Sequence, residues 1–174
     1  METTLYELSF DFSKALGFFI VLSVGLVFFF ADKIIGKRTA TYVNIDRRTK
    51  EISPRVVKII FRSIGVFCLI VFLVFFGVHI RQYNEYKTRL KTNNVSVVEG
   101  YVENYNPLPA YEKGTENFEI NGIYFAYTDA SSTNGYHTTA NRGGVITGNG
   151  QYLKIKYVTN AEGENVILYI CEIK

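Results

Sequence analysis

The sequence predicts an α+β membrane protein: a two-helix transmembrane hairpin followed by a small antiparallel β domain. Three observations carry that reading. Nine of the 14 Phe fall in two short blocks that hold no formal charge. None of the 13 Tyr lies in either block, and 11 follow the second one. After Asn93-Asn94 the apolar period changes from that of a helix to two. Phe has no polar atom, whereas the Tyr hydroxyl needs a partner or water, so the split points to lipid for the blocks and water for the tail.

The first block, 15–31, is closed by Lys14 and Asp32; the second, 63–80, is closed by Arg62 and Arg81. With 17 and 18 residues, both sit at the short end of the roughly 17–25 residues that span a bilayer core. Flanking Lys and Arg can snorkel and extend them. The acidic flank of Glu2, Glu7 and Asp11 argues against a cleaved signal peptide for the first block.

Orientation follows the basic residues. The connection 32–62 carries nine Lys or Arg against three acidic residues, a net of +6, whereas residues 82–174 carry eight against ten, a net of −2. The expected topology therefore has the 32–62 loop in the cytoplasm and both termini outside, with a bacterial cytoplasmic (inner) membrane as the location. Asp11 or Ser9 would cap the first helix, and Gly36 would end it. Ser53-Pro54 reads as N-cap and first helical residue, and from Pro54 the helical pattern runs to about Lys91. Tyr83, Tyr86 and Leu90 share a face there, so the end of this helix is expected to be a stalk. Between the helices, 42–52 alternates as a small hairpin turning near Asp46-Lys50.

The β domain is expected over 95–174, with residues 1–91 forming the flank, spans and stalk. Val95 to Tyr105 alternates loosely, with Gly100 as a bulge. Glu116–Ile120 and Ile123–Tyr127 flank Asn121-Gly122, a strong hairpin signal. A polar stretch, 129–150, holds a short strand at Val145-Ile146. Tyr152–Val158 puts Leu153, Ile155 and Tyr157 inward, and Val166–Ile173 reads as a central strand. Five or six such strands predict an OB-like or SH3-like barrel, which would remove exposed edges; an open sheet on the stalk helix is the alternative.

The chemistry-bearing residues are sparse. His79 lies at the outer end of the second block and reads as an interfacial polar residue. His137 lies in the 129–150 loop near Asp129 and Arg142, the one place where an envelope enzyme could assemble an acid/base pair. Cys68 and Cys171 read as unpaired, the latter as a small buried apolar residue. The glycine-rich run 142–150 lacks the phosphate-loop Lys and the dinucleotide spacing. Neither span holds a carboxylate, Lys or Arg, so no ion path is visible; the small residues Ser23, Gly25, Ser63, Gly65 and Gly77 permit close helix packing. The outer domain has no basic stripe for nucleic acid.

Several runs resemble a group of uncharacterised, membrane-anchored bacterial proteins with a small C-terminal β domain of unknown function. They are 98–109 (VEGYVENYNPLP), 118–129 (FEINGIYFAYTD), Gly143 to Ile146, Leu153 to Val158 and Asn165 to Leu168. The resemblance implies a fold and a bacterial origin, and no activity.

The resulting expectation is a non-enzymatic membrane-anchored binding or accessory protein. A subunit of a larger membrane complex and an envelope enzyme using the 129–150 loop are the alternatives. No catalytic residue, metal or cofactor is assigned. The expected partners are the lipid bilayer, an envelope protein and, through the spans, further copies of the chain, with no nucleic acid. The expected binding surface is Tyr136, His137, Asn141 and Arg142, with Tyr101, Tyr105, Tyr111 and Tyr124 as further exposed contacts.

Overall fold

A computed structural model describes residues 1–34, 41–45, 48–109, 113–131 and 133–174. Tyr111, the tip of the 42–52 hairpin and the expected helix stop at Gly36 lie outside them. The chain is α+β, with two helices and antiparallel sheets, and divides into two compact units.

One unit is Asp11–Val78. It contains α1 (Phe12–Ile34), the hairpin β2 (Thr41–Ile45) and β3 (Arg48–Ile52), and most of α2 (Pro54–Lys91). The hairpin pairs Thr41 with Ile52 and Ile45 with Arg48, as the alternation predicts. α2 starts where Ser53-Pro54 asks it to, with the Ser53 carbonyl accepting from Val56 N–H at 2.9 Å. Proline supplies a preset φ at a position whose N–H needs no helical partner. Among the described residues α2 is the one helix long and apolar enough to cross a membrane; α1 holds a shorter apolar stretch, Leu16–Ala31.

The two helices meet through glycine. A Cβ on Gly65 would stand 2.7 Å from the Phe29 nitrogen and 2.9 Å from the Gly25 carbonyl oxygen. Around that crossing, Phe28 meets Phe61, while Phe18 and Phe19 meet Phe76 edge-on. Glycine at the crossing lets the backbones approach closely and the rings on either side interlock. Gly77 does not take part, since nothing lies within 4 Å of a Cβ there.

The other unit joins Met1–Phe10 to His79–Lys174. The first segment, read from the sequence as a flank, is a strand: β1 (Glu2–Glu7) pairs antiparallel with β9 (Asn165–Ile173). A six-residue polar run such as ETTLYE carries little apolar periodicity, and its strand state depends on a partner more than 150 residues away.

The predicted barrel is replaced by two sheets. One has the order β1-β9-β8-β4, with β8 (Tyr152–Thr159) and β4 (Ser96–Tyr101); the other is β5-β6-β7, with β5 (Glu103–Asn106), β6 (Glu116–Ile120) and β7 (Ile123–Tyr127). The expected strand 95–105 therefore breaks in two. At the break Val102 is 1% exposed and hydrogen-bonds both ways to the β8 approach, N–H to Gln151 O and O to Gly150 N–H, each at 2.9 Å. The chain turns there from one sheet into the other.

Phe118, Ile120 and Phe125 of the three-stranded sheet pack with Leu153, Ile155, Ile167 and Ile170 of the four-stranded one, all 2% exposed or less. The Asn121-Gly122 turn forms as predicted, with φ of 50° and 75° at its two residues, the double positive φ of a tight hairpin. This turn explains Gly100, which is no bulge but pairs in register with Leu153. A Cβ at Gly100 would lie 2.9 Å from the Asn121 amide nitrogen. That same amide donates to the Glu99 carbonyl at 2.8 Å, covering the middle of the β4 edge.

The end of α2 is not a free stalk. Tyr86 is buried with Leu8, Val158 and Leu168, and Tyr83 and Leu90 pack beside it. The helical face seen in the sequence therefore belongs to the β unit's second apolar cluster. The helix then stops at Asn93, whose φ is 52°, with Asn94 N–H returning to Arg89 O at 2.9 Å.

Candidate functional site

The loop 129–150 carries the residues singled out from the sequence, and partly or fully buried polar groups organise it. Asp129 is the first. Its Oδ1 accepts from Thr139 N–H at 3.0 Å, its Oδ2 accepts from the Thr139 hydroxyl at 2.7 Å, and Arg142 Nε lies 2.9 Å from Oδ2. Partial burial pushes the Asp129 carboxyl upward. The two Thr139 bonds, then the charges of Arg142 and His137, outweigh it and hold the group below the usual carboxylate range. A carboxylate so engaged is a weak general base.

Glu116 is the second. Fully buried at the start of β6, it accepts from Leu108 N–H at 3.0 Å and from Ala140 N–H at 2.8 Å, both on Oε1. One carboxylate thus ties the 107–109 segment and the short 3-10 turn Ala140–Arg142 to the strand. Gly143 closes that turn in the left-handed region, its N–H returning to Ala140 O at 3.1 Å. The glycine run is a loop built on such positive φ values, at Gly148 and Gly150 as well as Gly143.

The expected surface quartet is only partly assembled. Tyr136 is no surface residue: it is 5% exposed, stacks edge-on against Tyr6 and Tyr127, and its hydroxyl accepts from Val145 N–H at 2.7 Å. Burial, partly offset by the Val145 bond, pushes its hydroxyl up to about 12. It was misread because a Tyr among Ser, Asn and Gly gives no pattern, while the core needs an aromatic to fill the space between β1 and β7. His137 is half-buried with Nδ1 at 2.9 Å from Gly135 O. Asn141 and Arg142 are exposed, held on the 3-10 turn. Val145-Ile146 forms no strand; Ile146 instead enters the core at 2% exposure, and its carbonyl accepts from the Tyr105 hydroxyl at 3.1 Å.

Of the other tyrosines, Tyr101 and Tyr124 are exposed, at 59% and 51%, and Tyr105 packs against the core. Tyr101 meets Tyr152 across β4 and β8 at 4.8 Å between centroids. Cys68 and Cys171 are both free, and Cys171 is buried. Among the described residues no group of three His, Cys, Asp or Glu is placed to hold a metal ion.

Sequence reasoning missed Glu116, Thr139 and Asn134, three buried polar residues. One signal was available: Glu116 stands in phase with Phe118 and Ile120, so period two aims it inward. Asn134 donates from Nδ2 to His79 O at 3.1 Å and to Gln82 Oε1 at 3.0 Å, fastening the loop to the last turns of α2. Comparison with known proteins finds no matching family model, no similar curated protein and no similar solved structure.

Proposed function

We propose that this chain is a two-pass membrane protein that presents its β unit outside the bacterial cytoplasmic membrane as a non-enzymatic binding or accessory module. The observation that carries the topology is the pairing of β1 with β9. Residues 1–10 and 79–174 form one folded unit, so they share one aqueous compartment. If α2 crosses the bilayer between them, the chain must cross an even number of times, and α1 is the only other described helix of near-spanning length. Its apolar stretch is short, but α1 as a whole has 23 residues, enough for a core of roughly 30 Å. The exposure of Leu16, Ile20, Val27, Ile59, Phe67, Leu73 and Phe75 fits a lipid-facing surface. The excess of Lys and Arg in 32–62 favours the cytoplasm for that segment.

A binding role is favoured over catalysis by the state of the loop. Asp129 and Glu116 are spent on fixing backbone, while Asn141 and Arg142 are presented on a clamped turn. Envelope proteins are the partner class this exposed polar turn suits. Reporter fusions placed after Lys174 and within 46–47 test the topology: the first is expected to report the outside and the second the cytoplasm. A carboxyl-terminal reporter active only in the cytoplasm overturns the proposal.

A further inference from the structure

β9 is the longest of the described strands, and over Tyr169–Ile173 its outer edge is covered by β1, while Leu8 N–H and Tyr136 N–H bond the Leu168 and Ile167 carbonyls. A long apolar edge is a template for unwanted pairing. β1 has the features that blunt such an edge: six residues, Glu at each end, and an irregularity between Thr4 and Tyr6. With Leu8 just beyond it, the segment packs into both apolar clusters of the unit. Tyr6 stacks on Tyr136 at 5.1 Å in one cluster, while Leu8 is buried with Tyr86, Val158 and Leu168 in the other, its N–H bonded to Leu168 O at 2.9 Å. The β1 ladder runs from Glu2↔Ile173 to Glu7↔Tyr169, across both helices. Of the described strand pairings it closes the longest loop and so carries the largest closure entropy.

We propose that the outer edge of β9, with the Leu8 socket beside it, is a strand-acceptor site whose ligand is the chain's own N-terminal segment, docked last. Resting on the two-pass reading, this makes completion of the outer domain conditional on export of residues 1–10. The recognition is main-chain addition to a sheet edge with side-chain pockets for Tyr6 and Leu8.

The test uses the full chain in detergent and a fluorescent peptide of residues 1–10. A variant lacking residues 2–8 is expected to bind the peptide at least about ten-fold more tightly than the intact chain, whose site is filled. It should also be cut faster by protease within 96–174, with the peptide restoring resistance. In a second arm no residue is deleted: Thr4→Cys, which faces Cys171 in register, is oxidised to fix β1 in place. The oxidised protein should exclude the peptide and the reduced protein should take it up slowly. Equal binding to the intact and shortened chains, or equal uptake by the oxidised and reduced forms, overturns the proposal. These readouts need no bilayer, so they stand or fall apart from the reporter fusions that test the topology.

Discussion

Gly65 of α2 lies against the Gly25 carbonyl of α1 with no room for a side chain between them. A Cβ at Gly65 would be 2.9 Å from that oxygen and 2.7 Å from the Phe29 nitrogen, both backbone atoms that cannot swing away. Gly65→Leu is therefore expected to force the helices apart and cost about 1–3 kcal/mol of helix–helix stability. Gly77→Leu, where nothing lies within 4 Å, is the matched control. Cysteine cross-linking between the helices, compared across the two variants, reads the difference.

Glu116 holds two loop amides from inside the core. Glu116→Ala takes the acceptor from two part-buried N–H groups, at about 0.5–1.5 kcal/mol each, and should unclamp the 3-10 turn. Denaturant unfolding gives the loss. Hydrogen exchange at Leu108 and Ala140 shows whether it originates there.

Asp129 gives the loop an acid sensitivity of defined sign. Its folded-state value is lowered, so its contribution is present above the ordinary carboxylate range and is lost as pH falls through the lowered value. Acidification through that lowered value should release Thr139 and Arg142 together, seen as a shift of the Thr139 amide resonance that is absent in Asp129→Asn. The Arg142 pair adds little alone, since that side chain is 72% exposed. Arg142→Ala should cost well under about 1 kcal/mol.

Tyr136 acts at the opposite end of the pH scale. Its folded-state value is raised to about 12 from 10.0, so its contribution is complete below the unfolded value and is lost as pH rises through the folded one. Absorbance titration should show a late tyrosine ionisation that Tyr136→Phe removes, with unfolding accompanying it. Tyr136→Phe leaves the Val145 N–H unpaired and should lower stability by about 1–3 kcal/mol at neutral pH.

Leu8 is the deepest anchor of the N-terminal segment, 7% exposed between Tyr86 and Leu168. Leu8→Ala should destabilise the β unit by about 2–5 kcal/mol, measured by thermal melting of the full chain in detergent. An effect below about 0.5 kcal/mol would mean that the segment hardly contributes to the unit.

The sequence by itself determined what local chemistry dictates. Ser53-Pro54 and Asn93-Asn94 bound α2 because capping and left-handed backbone are properties of a few adjacent residues. Asn121-Gly122 made its hairpin for the same reason, and the alternation of Leu153, Ile155 and Tyr157 named an inward face of β8. Tertiary structure alone decided the rest. ETTLYE became a strand only because β9 offers it an edge. Tyr83, Tyr86 and Leu90 became core rather than stalk only because Leu8, Val158 and Leu168 meet them. Two sheets stand in place of a barrel because the chain turns at Val102, a residue with no turn signal, held there by bonds to Gly150 and Gln151. The 129–150 loop, legible only as polar, takes its shape from Glu116, Asp129 and Asn134, whose partners lie as far as 55 residues away. Local propensity is written in neighbouring residues, whereas burial is a property of whichever surfaces come together, and no sequence window contains both halves of such a contact.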